Sequence, residues 1–191
     1  FLNMFPDYVP PEPFSDALSQ AAINAADLDA AARKIQLSLF TETYIPLRYL
    51  EMVERELAEI YDLRQLRIQA VHPASQITAV EREEIIALFV EQNSMTRGSL
   101  AGAEFVWDEV GLLIKLVANG KATLEECIPA VRVGLQTRFQ RSVQIRIEAG
   151  KTLEGQELFA AMERIRADMV ESGPKPVAVE KKAPVSQETI H

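Results

Sequence analysis

Gln65-Leu66-Arg67-Ile68-Gln69-Ala70 returns later in the chain as Gln144-Ile145-Arg146-Ile147-Glu148-Ala149. From residue 65 to residue 144 the shift is 79 positions. The same shift carries Ile35 and Leu37 onto Ile114 and Leu116, Ile60 onto Phe139, and Asp29 onto Asp108. A fixed shift held across several segments marks two copies of one structural unit. Within the quoted stretch, Leu66, Ile68 and Ala70 alternate with Gln65, Arg67 and Gln69, the period of a strand with one buried and one wet face.

Upstream of that strand, Pro46 opens a helix reaching about Asp62. Its apolar positions are Leu47, Leu50, Val53, Leu57 and Ile60, with Arg48, Glu51, Arg55 and Glu59 opposite. Residues 33–41 alternate as a strand through Ile35, Leu37 and Leu39, and residues 22–28 read as a weaker one. Asp29-Ala30-Ala31-Ala32 is the expected hairpin connection between them. A short helix with Phe14, Leu18 and Ala21 on one face precedes these, its first turn suited to Pro13. The segment from Phe5 to Pro13 holds four prolines and is expected to be extended.

The second half repeats the order. A helix is expected over 79–92 (Val80, Ile85, Leu88, Phe89), then strands over 99–107 and 111–118. Thr123 is placed to cap a helix reaching about Arg141, with Glu125 and Glu126 in its first turn. A last strand covers 143–149. Each unit is therefore α-β-β-α-β, an α+β fold in which three-stranded sheets carry helices on one face. Pro129, one turn inside the last helix, is expected to kink it or to split it into two. A split gives α-β-β-α-α-β, the order of a type II KH module. The expected domains are 1–73, 74–150, an amphipathic helix over 151–172, and a linker over 173–191 rich in proline and lysine without apolar periodicity.

Hydrophobic residues make up 48% of the 191, enough for a packed core. No apolar run approaches the roughly 20 residues that span a bilayer, and no signal-peptide pattern opens the sequence. One cysteine, Cys127, excludes an internal disulfide and fits a reducing, cytoplasmic compartment. The first residue is Phe1 and the end is a polar tail, so a piece of a longer chain is expected.

Net charge is −8, and residues 1–73 hold six Lys/Arg against eleven Asp/Glu. Phosphate neutralisation calls for a basic excess, so the first unit is a poor nucleic-acid binder. In the second unit Lys115, Arg132, Arg138, Arg141 and Arg146 are the candidate basic face, able to meet phosphates or an acidic partner. The bland alternative is that they offset Glu125, Glu126 and Glu148 on a solvated surface. The G-x-x-G loop with which KH modules grip nucleic acid is missing from both copies; Gly98 and Gly102 are isolated.

No catalytic constellation is visible. Cys127 and His72 have no third partner, and Cys127 on an apolar helix face reads as a core residue. Two histidines and one cysteine give no metal-ligand spacing. Glu54, Glu56, Glu81, Glu83 and Glu84 are expected on wet helix faces, not as acid/base pairs. Phe105 and Trp107 read as core more readily than as a base-stacking platform. Leu158, Met162, Ile165 and Met169, spaced by four, three and four, form one apolar stripe suited to docking a protein.

Leu2-Asn3-Met4-Phe5-Pro6-Asp7-Tyr8 resembles the start of PolC-type DNA polymerase III alpha chains, the replicative polymerases of low-GC Gram-positive bacteria. Ile45-Pro46-Leu47, Leu50, Glu54, Tyr61-Asp62-Leu63, Leu66-Arg67-Ile68 and Pro73 are similar to the same N-terminal region. So is the ending, an amphipathic helix followed by a Pro/Lys-rich connection and Gln187-Glu188-Thr189-Ile190-His191, which in that family leads into an OB fold. The resemblance implies a parent with DNA-directed DNA polymerase and proofreading exonuclease activities and divalent metal, Mg, in its active sites. No catalytic or metal residue transfers to these 191 positions, and no cofactor is expected in them. The family's N-terminal domains are compared to KH-like folds and to the polymerase-binding domain of the clamp-loader tau subunit. That implies docking with replisome proteins such as tau, with single-stranded DNA as the alternative partner and no membrane. A stand-alone small enzyme is the weakest reading.

Overall fold

The computed structural model describes residues 1–150 and 156–171, with side chains over 159–170 in the last stretch. It is a mixed α+β structure with two three-stranded sheets. The elements run α1 (Ser15–Ser19), β1 (Ala22–Asp29), β2 (Lys34–Phe40), α2 (Leu47–Ile60) and β3 (Gln65–Val71). There follow α3 (Arg82–Gln92), α4 (Thr96–Leu100), β4 (Glu104–Trp107), β5 (Gly111–Lys115), α5 (Lys121–Phe139), β6 (Gln144–Glu148) and α6 (Gln156–Glu171). The expected linker over 173–191 lies outside the described residues.

Each sheet pairs an antiparallel hairpin with a third, parallel strand. In the first sheet β1 runs antiparallel to β2 and β2 parallel to β3; β4, β5 and β6 do the same in the second. A parallel pair needs a crossover, and α2 and α5 supply it. Alternation then sorts the side chains. Leu37, Leu39, Leu66, Ile68 and Ala70 enter one core with Leu50, Val53 and Leu57 of α2; Leu112, Ile114, Ile145 and Ile147 enter the other with Leu124, Val131, Leu135 and Phe139 of α5. Burying each such Leu or Ile contributes about 1.5–3 kcal/mol. The N-terminal segment completes the first core with Phe1, Phe5 and Tyr8.

The hairpin turns follow the repeated aspartate. Asp29 Oδ1 accepts the Ala32 N–H at 2.8 Å, and Asp108 Oδ1 accepts those of Val110 and Gly111 at 2.8 and 3.0 Å. This is the side-chain turn that Asp forms readily. The 79-residue shift is not uniform, however. Ile35 faces Leu66 across β2 and β3, whereas Leu112 faces Ile145 across β5 and β6. Leu66 maps to Ile145 by 79, but Ile35 maps to Leu112 by 77 (112 − 35). The slip is two residues, so side chains keep their faces. It is absorbed in the crossover, where α5 has 19 residues against 14 in α2.

Several expectations are corrected. Pro129 does not split α5, which is continuous from Lys121 to Phe139. Pro129 and Glu125, whose carbonyl loses its helical donor, both lie on the exposed side, where water can replace the bond. Gly120, with φ 122°, is the N-cap in place of Thr123, and Glu125 and Glu126 fall beyond the first turn. The strand expected over 99–107 begins at Glu104, after the short α4 and a turn at Gly102 with φ 70°. Ile60, the last residue of α2, is 52% exposed, whereas Tyr61 and Leu63 just beyond it pack against the core.

Candidate functional site

Two places gather chemistry: a buried polar junction between the two sheets' helices, and an apolar cleft beside α6.

The junction is built on Glu84 of α3 and Arg138 of α5. Their side chains are only 8% and 11% exposed and form an ion pair through Glu84 Oε2 and Arg138 Nη1. Glu84 Oε1 also accepts the Tyr44 hydroxyl at 2.7 Å and the Leu47 N–H. Arg138 Nη2 donates to the Ile45 carbonyl at 3.3 Å. The His72 N–H donates to the Arg138 carbonyl at 2.7 Å. Tyr44 crosses over: it belongs to the loop before α2, yet it packs in the core of the second sheet, with Phe139 stacked 6.3 Å away.

His72 sits fully buried in this junction, with Nδ1 2.7 Å from Thr41 Oγ1 and Nε2 3.4 Å from Arg138 Nη2. Arg138 can only donate, so Nε2 is the acceptor and Nδ1 carries the proton. Burial first, then the neighbouring guanidinium, lowers the His72 pKa to about 4, so the ring is neutral near pH 7. Burial also raises Tyr44 well above the ordinary phenol range, with Glu84 adding to it. The junction is a neutral-His, ion-paired clamp whose polar groups are turned on each other, apart from Arg138 Nε, which is buried without a hydrogen-bond partner.

The cleft, about 710 Å³, lies between α6 and the α3–α4 corner. Ile86, Leu100, Ala101 and Ile165 line its apolar part, and Met169 stands at the rim, 67% exposed. Arg82, Glu83, Arg97 and Asp168 give the rim both signs of charge. Asp168 anchors α6: its Oδ2 accepts Arg82 Nη2 at 3.0 Å and the Gly102 N–H at 2.8 Å. Burial opposes ionisation there, but those donors hold its pKa below the usual carboxylate value.

The five nominated cations do not share a surface. Arg138 is in the junction. Lys115 pairs with Glu104 at 3.4 Å, and Arg146 pairs with Asp108, both on the side of the second sheet that α5 does not cover. Arg146 is the first cause of a lowered Asp108 pKa. Arg132 donates to Ser142 Oγ at 3.1 Å, and Arg141 is exposed beyond the end of α5. Helical spacing also separates them, since six residues turn Arg132 about 240° from Arg138.

On α6, the side that turns inward is Ala161, Ile165 and Asp168; Met162 and Met169 are exposed. The expected stripe thus straddles the contact, and the Leu158 side chain lies outside the described residues. The sequence reading missed Glu84 and Glu54, both expected on wet faces. Glu54 accepts the Ile68 N–H at 2.6 Å along the outer edge of β3 and pairs with Arg67 at 3.2 Å. For Glu84 a signal existed: it stands beside Ile85 and Ile86 on a helix whose apolar residues leave no wide wet face. Phe105 and Trp107 pack against the core, as expected.

Among the described residues no group of three or more His, Cys, Asp or Glu could hold a metal ion, and no helix is long and apolar enough to cross a membrane. No family model matches the chain, and no curated protein does. Two solved structures are similar in part. One is the periplasmic domain of the T3SS inner membrane protein PrgH from S. typhimurium, 14% identical over 71% of each chain with TM-score 0.23. The other, also a PrgH periplasmic domain, is 9% identical over 75% of this chain and 68% of that one, again with TM-score 0.23. Likeness at that level carries no argument.

Proposed function

We propose that this chain is the non-catalytic N-terminal region of a PolC-type replicative polymerase alpha chain, working in the cytoplasm as a protein-docking module of the replisome. In this reading residues 1–73 and 74–150 are two copies of one α-β-β-α-β unit related to KH type II and tau polymerase-binding folds. The common strand order and pairing sense of the two sheets and the two aspartate-capped hairpins support it. Polymerase chemistry, exonuclease chemistry and their Mg belong to the parent chain.

The observation that carries docking is the cleft beside α6. An apolar floor with a mixed-charge rim suits an amphipathic segment that inserts an apolar anchor and aligns its charges at the edge. The occupant is a segment of a replisome protein, the clamp-loader tau subunit first. The alternative, a grip on single-stranded DNA, loses support because three of the five nominated cations are ion-paired, with Glu84, Glu104 and Asp108, and a fourth, Arg132, donates to Ser142.

Calorimetric titration with tau tests this reading, with Met169→Glu as the probe variant. Met169 is exposed, so the variant keeps its fold; it is expected to weaken binding at least about tenfold, the equivalent of 1.4 kcal/mol. Fluorescence anisotropy with a labelled single-stranded oligonucleotide runs in parallel at low and physiological salt. Salt-sensitive DNA binding lost in Arg132→Glu or Arg141→Glu, with no binding of tau, would replace docking by the nucleic-acid reading.

A further inference from the structure

The side of α6 facing away from the cleft carries a second pattern. At about 100° per residue, Phe159, Glu163, Arg166 and Val170 fall within about 60° of one another. Ala161, Ile165 and Asp168, which hold the helix to the α3–α4 corner, lie on the opposite side of α6. All four outward residues are exposed, Phe159 by 67% and Val170 by 75%. Their spacing is four, three, four. That spacing reads the same in both directions, and so does the chemistry: apolar at both ends, one acid and one base between.

We infer that this face of α6 is an isologous contact through which two copies of the chain associate, the two helices antiparallel about a two-fold axis between residues 164 and 165. An antiparallel partner in this register brings Phe159 against the other copy's Val170, and Glu163 against the other copy's Arg166. The axis generates each contact twice. An isologous interface needs this self-complementarity, in which a residue that meets a second is met by it in return. Met162 and Met169 lie along one flank, about 280–300° around from Phe159, and the axis brings the Met flanks of the two copies side by side. Ala160 and Ala167 occupy the other flank and let the helices approach.

Charge complementarity selects a second copy over an unrelated apolar partner. Glu163 and Arg166 are neighbours three residues apart on their own helix, and in the antiparallel register each also faces its counter-charge on the second copy. The contact spans about 16 Å of helix, so it sits at the small end of interface sizes and the association is expected to be weak. Phe159, Glu163, Arg166 and Val170 do not line the cleft, whereas Met169 on the flank of this contact also stands at the cleft rim, so the two proposals share that one residue.

Analytical ultracentrifugation from about 5 to 500 µM tests it. The expected result is a concentration-dependent rise from the 21.3 kDa monomer toward twice that mass. Phe159→Asp is expected to abolish the rise. Glu163→Arg and Arg166→Glu each place like charges across the axis and are expected to weaken association at least about tenfold. The double variant restores it, and so does an equimolar mixture of the two single variants. Circular dichroism on each variant confirms the fold, since every substituted side chain is exposed. A monomer at all concentrations overturns the inference, as does association that the single charge reversals leave unchanged or that the double variant fails to restore.

Discussion

Glu84→Gln removes a charge while keeping the shape of the side chain, and the junction sets its cost. In the wild-type chain the Glu84 carboxylate is the counter-ion of Arg138, and it also accepts the Tyr44 hydroxyl and the Leu47 N–H. The amide can still accept one or both of those bonds, but the guanidinium, only 11% exposed, is left as a buried charge without a counter-ion. Breaking such a pair from one side costs about 3–5 kcal/mol, whereas exchanging both partners for apolar residues of similar volume is often neutral. The arginine still keeps its bond to the Ile45 carbonyl, which puts the expectation at the low end, about 3 kcal/mol. A double variant, Glu84→Met with Arg138→Met, removes both charges but leaves the Tyr44 hydroxyl and the Leu47 N–H without this acceptor, so it should cost clearly less than the two single variants summed, a strongly non-additive pair. Urea denaturation followed by Trp107 fluorescence and by circular dichroism measures both. A loss below about 1 kcal/mol for Glu84→Gln, or additive costs in the cycle, would refute the view that this pair clamps the junction.

Three further outcomes are expected. His72 has a folded-state pKa of about 4 against an ordinary 6.5, so the unfolded chain binds its proton first as pH falls. Its contribution is therefore fully present above about pH 6.5 and is lost progressively down to about pH 4, roughly 3 kcal/mol in all. His72→Gln should flatten stability-versus-pH over that window, and an unchanged slope would assign the acid sensitivity elsewhere. Gly111→Ala puts a Cβ against the Gln144 carbonyl at a φ of 152° and should cost about 2–3 kcal/mol in thermal or urea unfolding by parting β5 from β6. Asp168→Asn weakens the anchor to Arg82 and Gly102 by about 1–2 kcal/mol. Tryptic cleavage at Arg164 and Arg166 should then accelerate about 5- to 30-fold, with the global unfolding midpoint changed much less.

Local pattern carried far in this chain because its information is periodic. Alternation in Leu66-Ile68-Ala70 and Ile35-Leu37-Leu39 fixes which face of each strand is covered, whatever lies beyond. The 3–4 spacing of Leu50, Val53 and Leu57 does the same for α2. The repeated aspartates placed both hairpin turns. What failed was set by distant partners. Pro129 looks like a helix breaker until the Glu125 carbonyl that it leaves without a donor is found on the exposed side of the helix. Glu84 looks like one more surface acid in Glu81-Arg82-Glu83-Glu84, until Arg138, 54 positions away, arrives to pair with it.

By itself, then, the sequence determined a mixed α+β chain, the strand faces, the hairpin turns and the helix that follows the second sheet. All of these depend on side chains within a turn or a few residues of one another. The tertiary structure alone decided that Tyr44 leaves its own sheet to complete the other core, that Arg138 is a clamp and not part of a basic face, and that α6 turns Ala161, Ile165 and Asp168 inward. A cation's meaning depends on which carboxylate the fold brings beside it, and an apolar stripe's meaning on which side packing leaves open. Neither is written in the spacing of residues along one element.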